Sequence, residues 1–235
     1  MSPNQTRPWR PVPLALTALV ALVSAILALA FSGGMNMAQA QGNMPMKAGH
    51  SHPELTAKGV ALRMDMRKLW EDHVTWTRLA IISLESGTPD TDATVARLLQ
   101  NQVDIGDAIK PYYGDAVGNA LTGLLRQHIL IAADVIAAAK AGNATQLAEA
   151  QSRWVENADQ IAAALHSVNP HFWKLREMTA EMHRHLDLTT QEAVARLQGD
   201  WTGDVAAYDR VHHQILMMAD MLSEGIIGQF PDRFR

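Results

Sequence analysis

The sequence contains no cysteine. That excludes disulfides, thiolate nucleophiles, Fe–S clusters and cysteine-bound structural zinc. Any metal must then be held by His, carboxylate, Met or main chain. Runs of β-branched residues with period two are also missing, which argues against a sheet. Phosphate-cradling Gly-rich loops, the zincin H-E-x-x-H pattern and the nucleophile elbow are absent. So is the Glu-x-x-His pair of the ferritin-like di-iron proteins. An excess of basic charge is lacking as well: the formal net charge is −4. Residues 1–40 hold Arg7 and Arg10 and no acid, so a chain cut after Ala40 stands at −4 − 2 = −6. Such a balance argues against nucleic acid as a partner, because phosphate binding needs a basic face.

What is present begins with an export signal. Arg7 and Arg10 form a basic start, an uncharged apolar run extends from Leu14 to Phe31, and Ala38-Gln39-Ala40 is a small-x-small cleavage pattern. Residues 1–40 are therefore expected to be a signal peptide cut after Ala40, and the mature chain periplasmic or secreted. Uncleaved, the same run is nearly long enough to tether the chain to a membrane. Residues 41–55 read as a flexible tail rich in Met and His, and residues 56–235 as one helical bundle domain.

The helical period sets in at about Thr56 and persists. Gly stops, Pro beyond them, and Thr, Asp and Asn caps predict six helices. They are expected over 56–86, from 91 to just before Pro111, from 115 to Gly142, from after Asn143 to about 168, over 171–187, and over 189–230. The capping-box pattern Thr189-x-x-Glu192 marks the start of the last. Short connections make successive helices antiparallel. The expected fold is all-α, an antiparallel up-down bundle built from hairpins: a four-helix bundle plus a C-terminal hairpin. An internal repeat at an offset of 55 supports the hairpin unit. Leu69, His73, Ile81 and Gly87 recur as Leu124, His128, Ile136 and Gly142, and Asp104 and Ala108 as Asp159 and Ala163. The last two helices form a third, less similar hairpin.

His73 and His128 lie on the apolar stripes of the first and third helices and should point inward. Counted from the hairpin turns, Asp104 and Asp159 fall at the same height within about one turn. Two His and two Asp at one level would be a metal constellation suited to zinc, iron, manganese or copper. A second arrangement competes, since Gln102 and Asn157 lie in their stripes while the two aspartates sit on the flank. The layer is then His and amide, hydrogen-bonded to one another and fixing register.

Further candidate ligands cluster elsewhere. The tail holds Met44, Met46, His50 and His52, and thioether with imidazole suits Cu(I) and Cu(II). Met178, Met182, His183 and His185 form a group on the fifth helix. His212 and His213, with Met217, Met218 and Met221, form another on the sixth, where Asp209 stands four residues before His213.

The runs LWEDHVTWTR (69–78), NQVDIGDAIKPYYG (101–114), QHILIAADVI (127–136) and MMADMLSEGIIGQFPDRF (217–234) resemble a family of small all-helical bacterial proteins. The resemblance covers most of 60–234, implies a helical fold and transfers no chemistry. The Met/His tail is similar in composition to exported copper-handling proteins. The expectation is an exported metal-binding protein for storage, sequestration or resistance, copper first, with zinc or iron as other metals. A haemerythrin-like non-haem iron protein and a non-catalytic envelope interaction or sensor module are the alternatives. No catalytic residue is indicated, and self-association is compatible with the pattern.

Overall fold

Cap chemistry decides where the helices begin and end in the computed structural model, which describes residues 56–235. The expected signal peptide and Met/His tail, with Met44, Met46, His50 and His52, lie outside the described residues. Thr56 caps α1 (Ala57–Ser86), its hydroxyl accepting from the Gly59 amide at 3.2 Å. The helices α2 (Thr91–Tyr113), α3 (Asp115–Ala141) and α4 (Ala144–Val168) follow. Asn143 caps α4 through its side chain. Then come α5 (Leu175–Leu197), α6 (Trp201–Gln229) and a closing 3-10 turn, Pro231–Phe234. The described residues form no strand. The fold is an all-α helical bundle.

Two boundaries differ from those read in the sequence. α2 continues through Pro111 to Tyr113. Tyr112 stacks on Phe234 and Tyr113 packs on Trp173 and Phe230, and this aromatic burial holds the extra turn. The second difference is larger. There is no break at residue 188: α5 runs from Leu175 straight through Thr189 to Leu197. Thr189 and Glu192, which mimic a capping box, are buried side chains on the inner face of that helix. The true break is Gly199, in the left-handed region at φ 72°, with Asp200 capping α6. Residues 171–173 belong to the connection before α5, where Asn169 donates to the Gly225 carbonyl at 2.9 Å.

The corrected boundary makes the third hairpin equivalent to the other two. His73, His128 and His185 each stand fourteen positions before a left-handed glycine: Gly87, Gly142 and Gly199. Each helix packs on its neighbours in sequence, and α6 returns against α1, so the three hairpins close a ring around a common axis. The closing seam is ionic. Arg63 forks onto Asp220 at 2.8 and 2.6 Å, and Arg67 reaches the same carboxylate at 2.8 Å.

Near one end of the bundle, Trp173 is fully buried against Gly225 of α6. A Cβ at Gly225 would lie 2.0 Å from the indole Nε1, whereas one at Gly123 on the exposed face of α3 meets nothing within 4 Å. Gly225→Ala is therefore expected to cost about 1–3 kcal/mol by overpacking. Gly123→Ala should add about 0.5–1 kcal/mol from helix propensity. Urea unfolding of both variants checks this, and shifts of the same sign would contradict the packing.

Candidate functional site

The three repeated histidines meet at mid-height on the axis. Each lies on the buried stripe of its helix, and their exposures are 3%, 3% and 5% for His73, His128 and His185. The ring centres of His73 and His185 are 5.7 Å apart, and those of His128 and His185 are 6.4 Å apart. Trp70 packs edge-on against His73, and Trp154 lies beside His128. Three imidazoles share one interior, and among the described residues no carboxylate is bonded to any of them.

Each imidazole is held through Nδ1 by an amide 29 positions later, on the second helix of its own hairpin. His73 meets Gln102 Nε2 at 3.2 Å, His128 meets Asn157 Oδ1 at 2.7 Å, and His185 meets Gln214 Oε1 at 3.2 Å. The same layer ties each hairpin to a main-chain carbonyl four positions before its histidine. Asn157 donates to the Leu124 carbonyl and Gln214 to the Glu181 carbonyl. In the first hairpin the work is divided: Asn101 donates to the Leu69 carbonyl while its neighbour Gln102 meets the imidazole.

These bonds set the tautomers. The Asn157 and Gln214 amide nitrogens are committed to carbonyls, so their oxygens face His128 and His185, whose Nδ1–H groups donate. Nε2 of both rings then carries a lone pair. At Gln102 the polarity is reversed. Its Nε2 shares two hydrogens among three acceptors, the Leu98 carbonyl at 2.8 Å, Asn101 Oδ1 at 3.1 Å and His73 Nδ1 at 3.2 Å. His73 accepts at Nδ1 and keeps its proton on Nε2.

Unpartnered polar atoms gather at this level. His128 Nε2, Gln102 Oε1 and the indole nitrogens of Trp70 and Trp154 are buried without a hydrogen-bond partner, as is the Thr189 hydroxyl one turn along α5. Each orphan costs about 1–3 kcal/mol. No group of three or more His, Asp or Glu among the described residues is placed to hold a metal ion as it stands. The rings approach one another without closing on a common point.

The aspartates expected at this level are elsewhere. Asp104 is 36% exposed and bonds Gln100 on its own helix, and Asp159 is 51% exposed and bonds His183 at 2.8 Å. They occupy the outer flank because the amides Gln102 and Asn157 fill the inward positions two residues away. His183 is thus a surface side chain, while His185 is buried. His212 reaches Glu71 at 3.3 Å on the outside of α6, and His213 is exposed. Gln214, absent from the sequence reading, completes the layer; its spacing of 29 from His185 matches the other two pairs and would have revealed it.

One hairpin carries polarity farther along the axis. On α5, His185, Thr189 and Glu192 share one buried face. The positions matching Glu192 are Ala80 and Val135. Arg78 bonds Glu192 at 2.8 Å and forks onto buried Asp204 at 2.8 and 3.1 Å. Arg196 reaches Asp204 from α5.

Burial shifts both layers. It presses the His73 imidazole well below its ordinary range, and neighbouring His185 and His128 add to the effect. Burial, then His185, lowers His128 to about 3, and burial lowers His185 to about 4. A depressed His value means the unfolded chain binds more protons. Stability is whole above about pH 6.5 and is lost as pH falls toward 4. Imidazole NMR is expected to show three neutral rings at about pH 5.5, below the ordinary His midpoint; protonation of the cluster above pH 6 would contradict the burial. Glu192 behaves in the opposite way. Burial raises its carboxyl to about 7 despite Arg78, so its contribution is present at low pH and lost as pH rises through 7. Glu192→Gln should flatten the fall in thermal midpoint between pH 6 and 8, and an unchanged slope would exclude Glu192 as its source.

Comparison of the chain with family models, curated proteins and solved structures finds no match, so the reading of the site rests on its own geometry.

Proposed function

We propose that the protein is an exported metal-binding bundle whose centre is the His73–His128–His185 layer, with copper as the first metal. One observation carries the reading. Three buried imidazoles converge with their outer nitrogens fixed by amides, while His128 Nε2 is left buried and unpaired. Orientation of a ligating imidazole through its other nitrogen is the general device of metal sites, and the usual partner is a carboxylate, carbonyl or water. Here amides serve. The low affinity of the rings for protons leaves neutral imidazole, the ligating form, across the physiological range.

Buried thioethers support copper over harder metals. Met182 stands one turn before His185 on α5, and Met66 and Met178 stand two turns before His73 and His185 on the same faces. Export after Ala40 would place the mature chain where no thiol competes for the metal. Met44, Met46, His50 and His52 would then serve as a capture segment, and sequestration or storage would be the role.

Metal content of the mature chain, purified without chelator, tests the reading. Bound copper, zinc or iron should approach one per chain and vanish in a His128→Ala/His185→Ala variant, while a His183→Ala/His212→Ala variant should retain it. Retention by the first variant, or absence of metal from wild type even after loading, would leave the layer as a device that fixes helix register.

A further inference from the structure

The polarity of the three amide bonds and the charge of the layer define which ion the centre accepts. This step rests on the metal-binding reading above and narrows it. We infer that the layer is built for a monovalent cation with a filled d shell, Cu(I), held between Nε2 of His128 and Nε2 of His185, with His73 as a positioning residue.

The first argument is charge. Among the described residues no carboxylate bonds any of the three imidazoles, and their partners are neutral amides. Two acids on α5 are already engaged. Glu192 is paired with Arg78, and Glu181 is reached from His185 only through the Gln214 amide, which donates to its carboxylate at 3.1 Å. The cost of taking an ion out of water rises with the square of its charge, so a divalent ion costs about four times a monovalent one. A buried, uncharged donor set offsets the smaller of these.

The second argument is the count of lone pairs. His128 and His185 present free Nε2 lone pairs, while Gln102 forces the proton of His73 onto Nε2. Two donors stand ready and the third is blocked. Cu(I) is stable with as few as two ligands, whereas Zn(II) takes four. A linear arrangement with metal–nitrogen bonds of about 2.0 Å, and about 1.1 Å more from each nitrogen to its ring centre, spans roughly 6 Å. The His128 and His185 ring centres are 6.4 Å apart. Met182, buried one turn from His185, is a soft third donor of the kind Cu(I) favours.

His73 cannot ligate until Gln102 turns over, and that turn would sacrifice the bonds to the Leu98 carbonyl and to Asn101. A carboxylate at this position removes the block. Gln102→Glu accepts from His73 Nδ1–H, releases the Nε2 lone pair and brings a negative charge to the layer. That variant should move selectivity toward divalent ions.

The test is competition titration of the mature apo-protein with Cu(I), Cu(II) and Zn(II) against chelators, together with X-ray absorption of the Cu(I)-loaded protein. Wild type is expected to bind Cu(I) more tightly than either divalent ion, with two or three light-atom or sulfur neighbours. His128→Ala and His185→Ala should each lose at least about 100-fold in Cu(I) affinity, His73→Ala no more than about 10-fold. Gln102→Glu should gain Zn(II) affinity. Far-UV circular dichroism of each apo variant verifies folding, and the absorption spectrum of wild type decides the coordination number if a variant fails to fold. Tighter binding of Zn(II) or Cu(II) at these histidines, or a four-coordinate Cu(I) site, overturns the inference while leaving the metal-binding reading intact. No ion bound at the histidines overturns both.

Discussion

The bond between each buried imidazole and the amide of its own hairpin is the constraint around which the bundle is arranged. An imidazole with no partner in an apolar interior would be costly. The chain meets this three times with the same geometry, an amide 29 positions later on the returning helix. The bond fixes the height of one helix against the next. It also fixes rotation, because the same amide layer reaches a carbonyl four positions before the histidine. Apolar packing alone would let paired helices slide by a turn at small cost, whereas a displaced His–amide pair would strand several buried polar atoms at once.

Closure of the ring follows from that register. Once the three hairpins share one height, α6 meets α1 with Asp220 opposite Arg63 and Arg67, and Asp204 opposite Arg78. The first of these pairings is half exposed and contributes modestly. The second is buried and has a different character. Breaking it would leave Asp204 or Glu192 uncompensated in the interior. The two layers therefore oppose each other over one range: between about pH 4.5 and 7 the histidines gain stability as pH rises and Glu192 loses it.

Much of this was legible in the sequence. Gly87 and Gly142 stop helices as expected, the stripes place His73 and His128 inward, and Gln102 and Asn157 lie in their stripes beside them. The third repeat was hidden by Thr189-x-x-Glu192. Its pattern is that of a capping box, but tertiary burial, not a helix start, is the reason for both residues. With a false break at 188, the fourteen-residue interval from His185 to Gly199 could not be seen, and Gln214 had no hairpin to belong to. Asp104 and Asp159 stand at the expected height, on the flank that the competing His–amide arrangement assigns them. Two residues along a helix amount to about 200°, so the outer flank was already implied by Gln102 and Asn157.

A device for register alone would be expected to end with its polar atoms paired. Part of this layer does so, through Nδ1 and the carbonyl bonds. The remainder does not: His128 Nε2, Gln102 Oε1 and two indole nitrogens are buried without partners at the same level. Register could be set more cheaply by one His–amide pair with apolar residues at the other two positions, since each unpaired group carries a cost of about 1–3 kcal/mol. Four of these atoms gather at the level where three rings from three hairpins face one another, while the rest, among them Gln151 Oε1 and the Thr88 hydroxyl, are scattered through the bundle. Polar atoms left over on the axis, with their orientations fixed from outside, are what a site for a ligand requires and what a spacer does not. The asymmetry at Gln102 adds to this. A spacer gains nothing from reversing one of three equivalent bonds, whereas a centre that must offer two lone pairs and withhold a third gains its selectivity there.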